Sequence, residues 1–402
     1  MAVQQSWAQS AWSVESLVFK AISQHPSVLA GKAEERALVD DLEVARLQRW
    51  PSLSITSETS GGGGSSVLAV ELPLWAAGRF EAQIQAADSS VAAQGEVVRE
   101  SQYGLALRVV DAWQALMQAT ERKRVHTATR EKFDQYHAMM SRRVRAEASP
   151  RIDLDLIEAR AAQTKMDFQA ADLTQRIARD RLQYLVGETL PLDGLLELPV
   201  ERQVAIIQDA AWEGRAARIV EAVDAHPAVR KAGRLADVEL QRLRLKESAQ
   251  WPQVYMRLQK SVGVSVAPTN SVFFGLKYEP GAGFSSAVQA RAAQVRAEGA
   301  QIVVDAARRD VSDAIQAEHK ELLNVRNRIS LLGFAATASR LVVESYERQF
   351  VAGRRTWQEV LNALRERSDY TVALGDANTQ MLGGAWRLAV RTGALDWQRG
   401  DR

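Results

Sequence analysis

The sequence predicts a mainly α-helical chain with a smaller β part, built by internal duplication, whose four strands close only by joining those of further copies. Three observations predict this. Ile84, Val91, Val98, Leu105, Ala112 and Ala119 fall at sevenfold spacing, so one apolar seam runs down a single very long helix. Two short alternating stretches precede that helix, and a second long helix follows it. The same order then returns, with Val288, Val295 and Ile302 repeating the first three seam positions at an offset of 204.

Composition bounds the answer. A chain of 402 residues holds two or three ordinary domains, and its wealth of Ala, Gln, Arg, Glu and Leu favours long helices. The net charge of +2, with no block of Lys or Arg, argues against a nucleic-acid surface. No apolar run reaches the length of a membrane-spanning helix, which leaves barrel strands open because their signal is far weaker. The lack of cysteine removes disulfides, zinc–thiolate sites and a lipid-anchor Cys from the sequence as given. MAVQQSWAQSAWS has no apolar signal-peptide core. The protein is therefore either cytoplasmic or written without its leader, and residues 1–13 read as a disordered remnant.

In order, Val14 to Arg49 reads as two helices broken at His25-Pro26, since the residue before proline leaves the α region. Trp50-Pro51 opens an alternating stretch in which Leu53 and Ile55 oppose Ser52, Ser54 and Thr56. Gly61–Gly64 and two serines make a turn, and Leu68, Val70, Leu72 and Leu74 then alternate with Val67, Ala69, Glu71 and Pro73. This is a β-hairpin, about 51–75. Helix follows from about Ala76 to Glu147, on the order of 100 Å at 1.5 Å per residue. Ser149-Pro150 turns the chain into a second helix, about 152–185. GETLPLDGLLELP connects this first repeat, 14–206, to a second, 207–392.

His226-Pro227 repeats His25-Pro26, and Trp251-Pro252 repeats Trp50-Pro51, both at an offset of 201. Val254, Met256 and Leu258 alternate with Gln253, Tyr255, Arg257 and Gln259. A turn around Ala267–Asn270 leads to Val272, Phe274, Leu276 and Tyr278, which alternate with Phe273, Gly275, Lys277 and Glu279. The second hairpin spans about 252–279. Long helices span about 285–352 and 356–390, with a turn at Gly353-Arg354-Arg355, and 393–402 is a tail.

Four strands cannot close a barrel, and their apolar row would be left exposed. Three chains give twelve strands, within the range of transmembrane barrels. The small residues of the helical seam permit close antiparallel coiled-coil packing, so a ring of such helices from three chains makes a tube continuous with the barrel. The helix–helix turns would then gather at its far end, a natural place for a gate. The alternative on the strand pattern alone is a two-sided soluble sheet packed on a helix.

Together, the repeated His-Pro helix, the Trp-Pro hairpin start, Pro73-Leu74-Trp75-Ala76-Ala77-Gly78-Arg79 and Ala352-Gly353-Arg354-Arg355-Thr356-Trp357-Gln358-Glu359-Val360-Leu361-Asn362 resemble the TolC family over about Ser13 to Thr392. Tyr278-Glu279-Pro280-Gly281-Ala282-Gly283-Phe284 and Arg354–Val360 most resemble its LapE-type branch. The resemblance implies a homotrimeric outer-membrane β-barrel on a long α-helical barrel extending into the periplasm. It implies a periplasmic adaptor and an inner-membrane ABC transporter as partners, outer-membrane lipid around the barrel, and a large secreted repeat adhesin as cargo for surface attachment or biofilm. No nucleic acid, cofactor or metal is implied, and no catalysis. The competing functions are the same duct serving drug or metal efflux, and a soluble elongated coiled-coil scaffold.

By the same resemblance, Arg355 matches an arginine that holds the closed aperture, while Glu359 and Asn362 match two aspartates of the narrowest ring. Here one acid is kept and the other has lost its charge. Asp153 and Asp155 complete the gate candidates with Arg354, one of the two acids pairing with Arg354 or Arg355 in the closed state. Ala146, Ser149, Pro150, Ala352 and Gly353 are candidates for adaptor contact. Glu71, Arg257, Gln259, Lys277 and Glu279 are the polar residues of the barrel lumen. The plainer alternatives are an exposed helix start favoured by the dipole and ordinary turn chemistry, with Gly353 present for its positive φ. Trp50, Trp75 and Trp251 are either interfacial aromatics or packing where sheet meets helix. His25, His126, His137, His226 and His319 lack metal-ligand spacing, and His25 and His226 read as caps. Gly61–Gly64 links two strands, so it is not a phosphate cradle.

Overall fold

A computed structural model describes residues 13–60, 63–190, 216–263 and 266–395. The N-terminal remnant through residue 12, the repeat boundary at 206/207 and the tail beyond 395 lie outside these residues. The elements, in order, are α1 (Val14–Gln24), α2 (Pro26–Leu47), β1 (Ser52–Ser60), β2 (Gly63–Trp75), α3 (Arg79–Arg145) and α4 (Arg151–Val186), then α5 (Ala216–Ala225), α6 (Pro227–Ser248), β3 (Gln253–Gly263), β4 (Val266–Lys277), α7 (Ser285–Val351) and α8 (Trp357–Arg391). The second six repeat the first six.

Element lengths fix the correspondence. α2 and α6 have 22 residues each, and α3 and α7 have 67 each, at an offset of 206. Burial supports that offset: Val98, Leu105 and Ala119 match Val304, Val311 and Val325, and all six are buried. The expected match of Ile84, Val91 and Val98 to Val288, Val295 and Ile302 is therefore two residues out of register. Those three side chains are 58, 66 and 69% exposed and form a second heptad stripe on another face of α7.

The described residues fall into two compact units, each drawing matching parts from both repeats. One takes the described residues within 26–101 and 223–311, the other those within 13–25, 102–222 and 312–395. In the first, the four strands form an antiparallel sheet in the order β1-β2-β3-β4. One face carries Leu53, Val70, Leu258 and Val272 in a row across the strands, with Leu72, Met256 and Phe274 beside it. The opposite face carries Ser52, Glu71 and Arg257 in register. Pro73 sits at a bulge opposite Tyr255, where a missing N–H is tolerated.

Both hairpin turns are shorter than the sequence suggested. Ser57 pairs with Ser66, their hydroxyls 2.9 Å apart, and Ser60 pairs with Gly63, so Gly63–Ser66 belong to β2. Ser261 likewise pairs with Thr269 and Lys260 with Asn270, which places Ala267–Asn270 in β4.

In the second unit, α3, α4, α7 and α8 share a core of Phe133, Tyr136, Met140, Leu154, Ile157, Val343, Phe350, Trp357 and neighbours. α8 crosses α3 closely. A Cβ on Gly383 would lie 1.9 Å from Gln114 Oε1, and one on Gly375 2.5 Å from Glu121 Cγ. Arg122 grips Asp376 with both Nε (2.9 Å) and Nη2 (2.7 Å). Arg387 donates to Glu318 (2.8 Å), Asp111 (3.1 Å) and Gln114 (2.6 Å), joining α8 to both α7 and α3.

The glycines of α8 are therefore kept for approach rather than for conformation. Alanine ordinarily gains about 1 kcal/mol over glycine inside a helix, and at Gly104 of α3 nothing lies within 4 Å of the added Cβ. Gly104→Ala is expected to raise the thermal midpoint. Gly383→Ala, which displaces Gln114 from Arg387, is expected to lower it. Parallel melts that moved in the same direction would refute the close-approach account.

Candidate functional site: the helix–helix turns

α3 and α7 end in the same motif. The N–H of Ala148 donates to Arg143 O (2.8 Å) and that of Glu147 to Val144 O (3.1 Å); Arg354 N–H donates to Gln349 O (2.9 Å) and Gly353 N–H to Phe350 O (3.0 Å). This double closure satisfies carbonyls that a helix C-terminus otherwise leaves open. The left-handed position is Gly353 in the second repeat, φ 71°, and Glu147 in the first, φ 56°. A side chain there costs on the order of 1 kcal/mol that glycine avoids.

The helices that leave the turns start differently. α4 begins after Pro150, which has no side-chain cap, and Arg151 Nε reaches Asp155 at 3.1 Å. α8 begins with a full capping box. Thr356 N–H and hydroxyl each reach Glu359 Oε2 at 2.9 Å, and Glu359 N–H returns to Thr356 Oγ1 at 3.4 Å. Arg355 adds an ion pair to Glu359, a hydrogen bond to Gln349 Oε1 (3.2 Å) and a cation–π contact 4.5 Å above the Tyr346 ring. The Glu359 carboxyl is held below the usual carboxylate range by the Thr356 backbone and hydroxyl first, then by Arg355.

Among the gate candidates, the pairing of Asp153 or Asp155 with Arg354 or Arg355 is therefore not the one this chain makes. Spacing of four residues on one helix gives Arg355 to Glu359 and Arg151 to Asp155. Arg354 and Asn362 are exposed. Of the adaptor-contact candidates, Ala146, Pro150, Ala352 and Gly353 are exposed, while Ser149 accepts from Arg143 Nε at 3.0 Å and helps hold its own turn.

Behind the turns lies a support that the sequence reading missed. Trp357 is buried against Tyr136 (ring centroids 4.9 Å apart, near perpendicular) and Phe350 (4.7 Å). Arg143 caps the Phe350 ring at 5.0 Å, and the Tyr136 hydroxyl bonds Glu347, which Lys132 also meets at 3.1 Å. Burial first, then Glu347, pushes the Tyr136 phenol well above its ordinary pKa. The available signal was Phe133, Tyr136 and Met140 at helical spacing, just ahead of the turn.

The expected lumen residues lie as follows. Glu71 and Arg257 are direct cross-strand neighbours and form an ion pair at 2.5 Å. Gln259 donates to Ser261 Oγ at 3.2 Å. Lys277 meets Glu279 at 3.4 Å, but Glu279 lies two residues beyond the end of β4. Its assignment to a strand row is corrected, because pairing stops with Lys277 opposite Gln253. His226 caps α6 by accepting from Ala228 N–H at 3.2 Å. Among the described residues, no group of three or more His, Cys, Asp or Glu is placed to hold a metal, and no helix is long and apolar enough to cross a membrane.

No family model matches the chain, and no curated protein does. Among solved structures the chain is similar to CusC, described for the folding and transmembrane channel formation of that protein, with TM-score 0.80 and 14% identity over 94% of this chain and 91% of that one. It is also similar to the outer membrane protein VceC of Vibrio cholerae, with TM-score 0.79 and 14% identity over 94% and 96%. The outer-membrane channel OprN matches with TM-score 0.79 and 18% identity over 96% and 90%. At such identities the likeness establishes the fold. The chain has the mainly α fold of these channel proteins, with a four-stranded β part and duplicated long helices.

A group whose folded pKa is lowered contributes stability above its unfolded value, about 4.3 for Glu, and loses that contribution as pH falls through the folded pKa. Glu359→Gln is therefore expected to lower the thermal midpoint near neutrality, with a gap from the parent that narrows below about pH 4. A gap of unchanged size at pH 3 would show that the carboxylate charge does not hold the turn.

Proposed function

We propose that this chain is the subunit of a homotrimeric TolC-type outer-membrane channel, a non-enzymatic exit duct serving a type I secretion system that exports a large repeat adhesin. The observation that carries the channel reading is a packing junction that the chain makes once and leaves open once. α3 packs on α8 through Gln114, Glu121 and Arg122. Their counterparts on α7, at an offset of 206, are Lys320, Asn327 and Arg328, all exposed, with Arg328 reaching only Gln380 of α8 among the described residues. The α8 face that receives α3 carries Thr379, Gly383 and Val390, all buried. Its counterpart on α4 carries Leu173, Ile177 and Tyr184, and Tyr184 is 81% exposed. A second copy placed head to tail sets the open α7 face of one copy against the open α4 face of the other, and repeating that contact covers every such face once its rotation closes a ring.

The sheet unit supports the same arrangement independently. Glu96 of α3 is buried and meets Arg230 of α6 at 3.0 Å. The matching residues are Ile302 of α7 and Leu29 of α2, both exposed apolar side chains. A charged pair within the chain thus has an apolar counterpart ready to form between chains. The sheet's edge strands are β1 and β4, so the β4 edge of one copy is available to the β1 edge of the next. Two copies give eight strands, a barrel that side chains fill; three give twelve, which leaves a lumen. The exposed row of Leu53, Ile55, Phe274 and Leu276 then faces lipid, which a soluble scaffold would leave in water.

In this reading the turns form the periplasmic end, with Arg355 and Glu359 at the gate and the exposed turn residues meeting an adaptor that links the duct to an inner-membrane ABC transporter. The self-neutralised Glu71–Arg257 pair supports passage of an unfolded chain, since it offers little net charge on which cargo would stall. The secretion assignment within the family rests on Tyr278–Phe284 and Arg354–Val360. Deleting the gene is expected to remove the largest repeat adhesin from the cell surface while leaving sensitivity to a panel of dyes, antibiotics and metals unchanged. Hypersensitivity with normal adhesin would instead establish the same duct in drug or metal efflux.

A further inference from the structure

A cavity of about 320 Å³ lies between the start of α3 and the end of α6, within the sheet unit, lined in part by Glu81, Gln85, Arg244, Glu247, Ser248 and Trp251. Its charges are not settled within the protein. Arg244 Nη1 reaches only two amide oxygens, Gln85 Oε1 at 3.3 Å and Gln241 Oε1 at 3.2 Å. Glu81 and Glu247 are exposed and make no ion pair among the described residues. One guanidinium and two carboxylates therefore line the same hollow without compensation.

The position of the cavity narrows what would fill it. It opens where β2 ends at Trp75 and β3 begins at Gln253, adjacent strands whose rim residues Trp75 and Val254 are paired. Trp50, Trp75 and Trp251 are all exposed there. Given the membrane-inserted sheet proposed above, on which this step rests, that rim lies at headgroup depth, where tryptophan is favoured.

We infer that the cavity binds the headgroup of a phospholipid that carries a phosphate and a primary amine. Arg244 takes the phosphate through its planar donor fork. Glu81 and Glu247 accept from the ammonium, which has three N–H donors to give. A choline headgroup has none, and a glycerol headgroup has no positive charge to offer two carboxylates. The predicted order is phosphatidylethanolamine over phosphatidylcholine and phosphatidylglycerol.

The test is native mass spectrometry of the full chain, delipidated in detergent and titrated with each of the three dioleoyl lipids and with free phosphoethanolamine. Phosphatidylethanolamine is expected to be retained roughly fivefold to tenfold over the other two, the size of one net hydrogen bond at a half-open site. Glu81→Gln with Glu247→Gln should abolish that preference, bringing phosphatidylethanolamine down to the level of phosphatidylcholine. Arg244→Gln should weaken all three lipids, and melts of each variant show whether it folds. Equal retention of the three lipids, or a preference that survives the double variant, overturns the inference. Free phosphoethanolamine bound as tightly as the lipid would overturn the lipid assignment in favour of a soluble ligand. The same spectra report oligomeric state: a monomer that needs no detergent would refute the channel reading, and the lipid site with it.

Discussion

The contact on which the rest of the structure depends is the close crossing of α8 over α3. Gly375 and Gly383 let the helices approach, and Arg122–Asp376 and the Arg387 cluster fix them side by side. Everything in the proposed assembly follows from the fact that duplication supplies two such junctions while one chain can close only one of them. In the proposed assembly the second sets Leu173, Ile177 and Tyr184 of α4 against Lys320, Asn327 and Arg328 on α7 of another copy, all exposed within one chain.

At the turns the same duplication has diverged. Both ends close by the same pair of main-chain bonds, yet one repeat places Gly353 in the left-handed position and the other Glu147. Likewise α8 starts with a full capping box while α4 starts bare after Pro150. The second repeat therefore carries the better-fixed turn, seated on the Trp357–Tyr136–Phe350 cluster.

Much of this was legible in the sequence. Heptad spacing from Ile84 to Ala119 gave α3, alternation gave the four strands, and His-Pro and Trp-Pro marked equivalent positions in the two repeats. What failed did so for physical reasons. Val288, Val295 and Ile302 imitate the α3 seam because a helix with two apolar faces carries two heptad stripes, and spacing alone does not say which one is buried inside the chain. The glycine run was read as turn because glycine is rare in strands, but Ser57 and Ser66 continue the pairing. Within one chain Arg355 takes Glu359 and Arg151 takes Asp155, because the capping box and the four-residue spacing decide which partner is nearest. Glu71 and Arg257, 186 positions apart, became neighbours only once the register was set.

The central claim is that the open α7 and α4 faces meet between copies as α3 and α8 meet within one. Gly383 lies against Gln114, and the matching positions are Ile177 and Lys320. The chain has no cysteine of its own, so Ile177→Cys with Lys320→Cys gives a clean cross-linking pair. Oxidation in the membrane should convert the chain to covalent trimers, with dimers as intermediates and neither single variant cross-linking. A pair that stays reduced in an intact trimer, or that links only within one chain, would contradict the account.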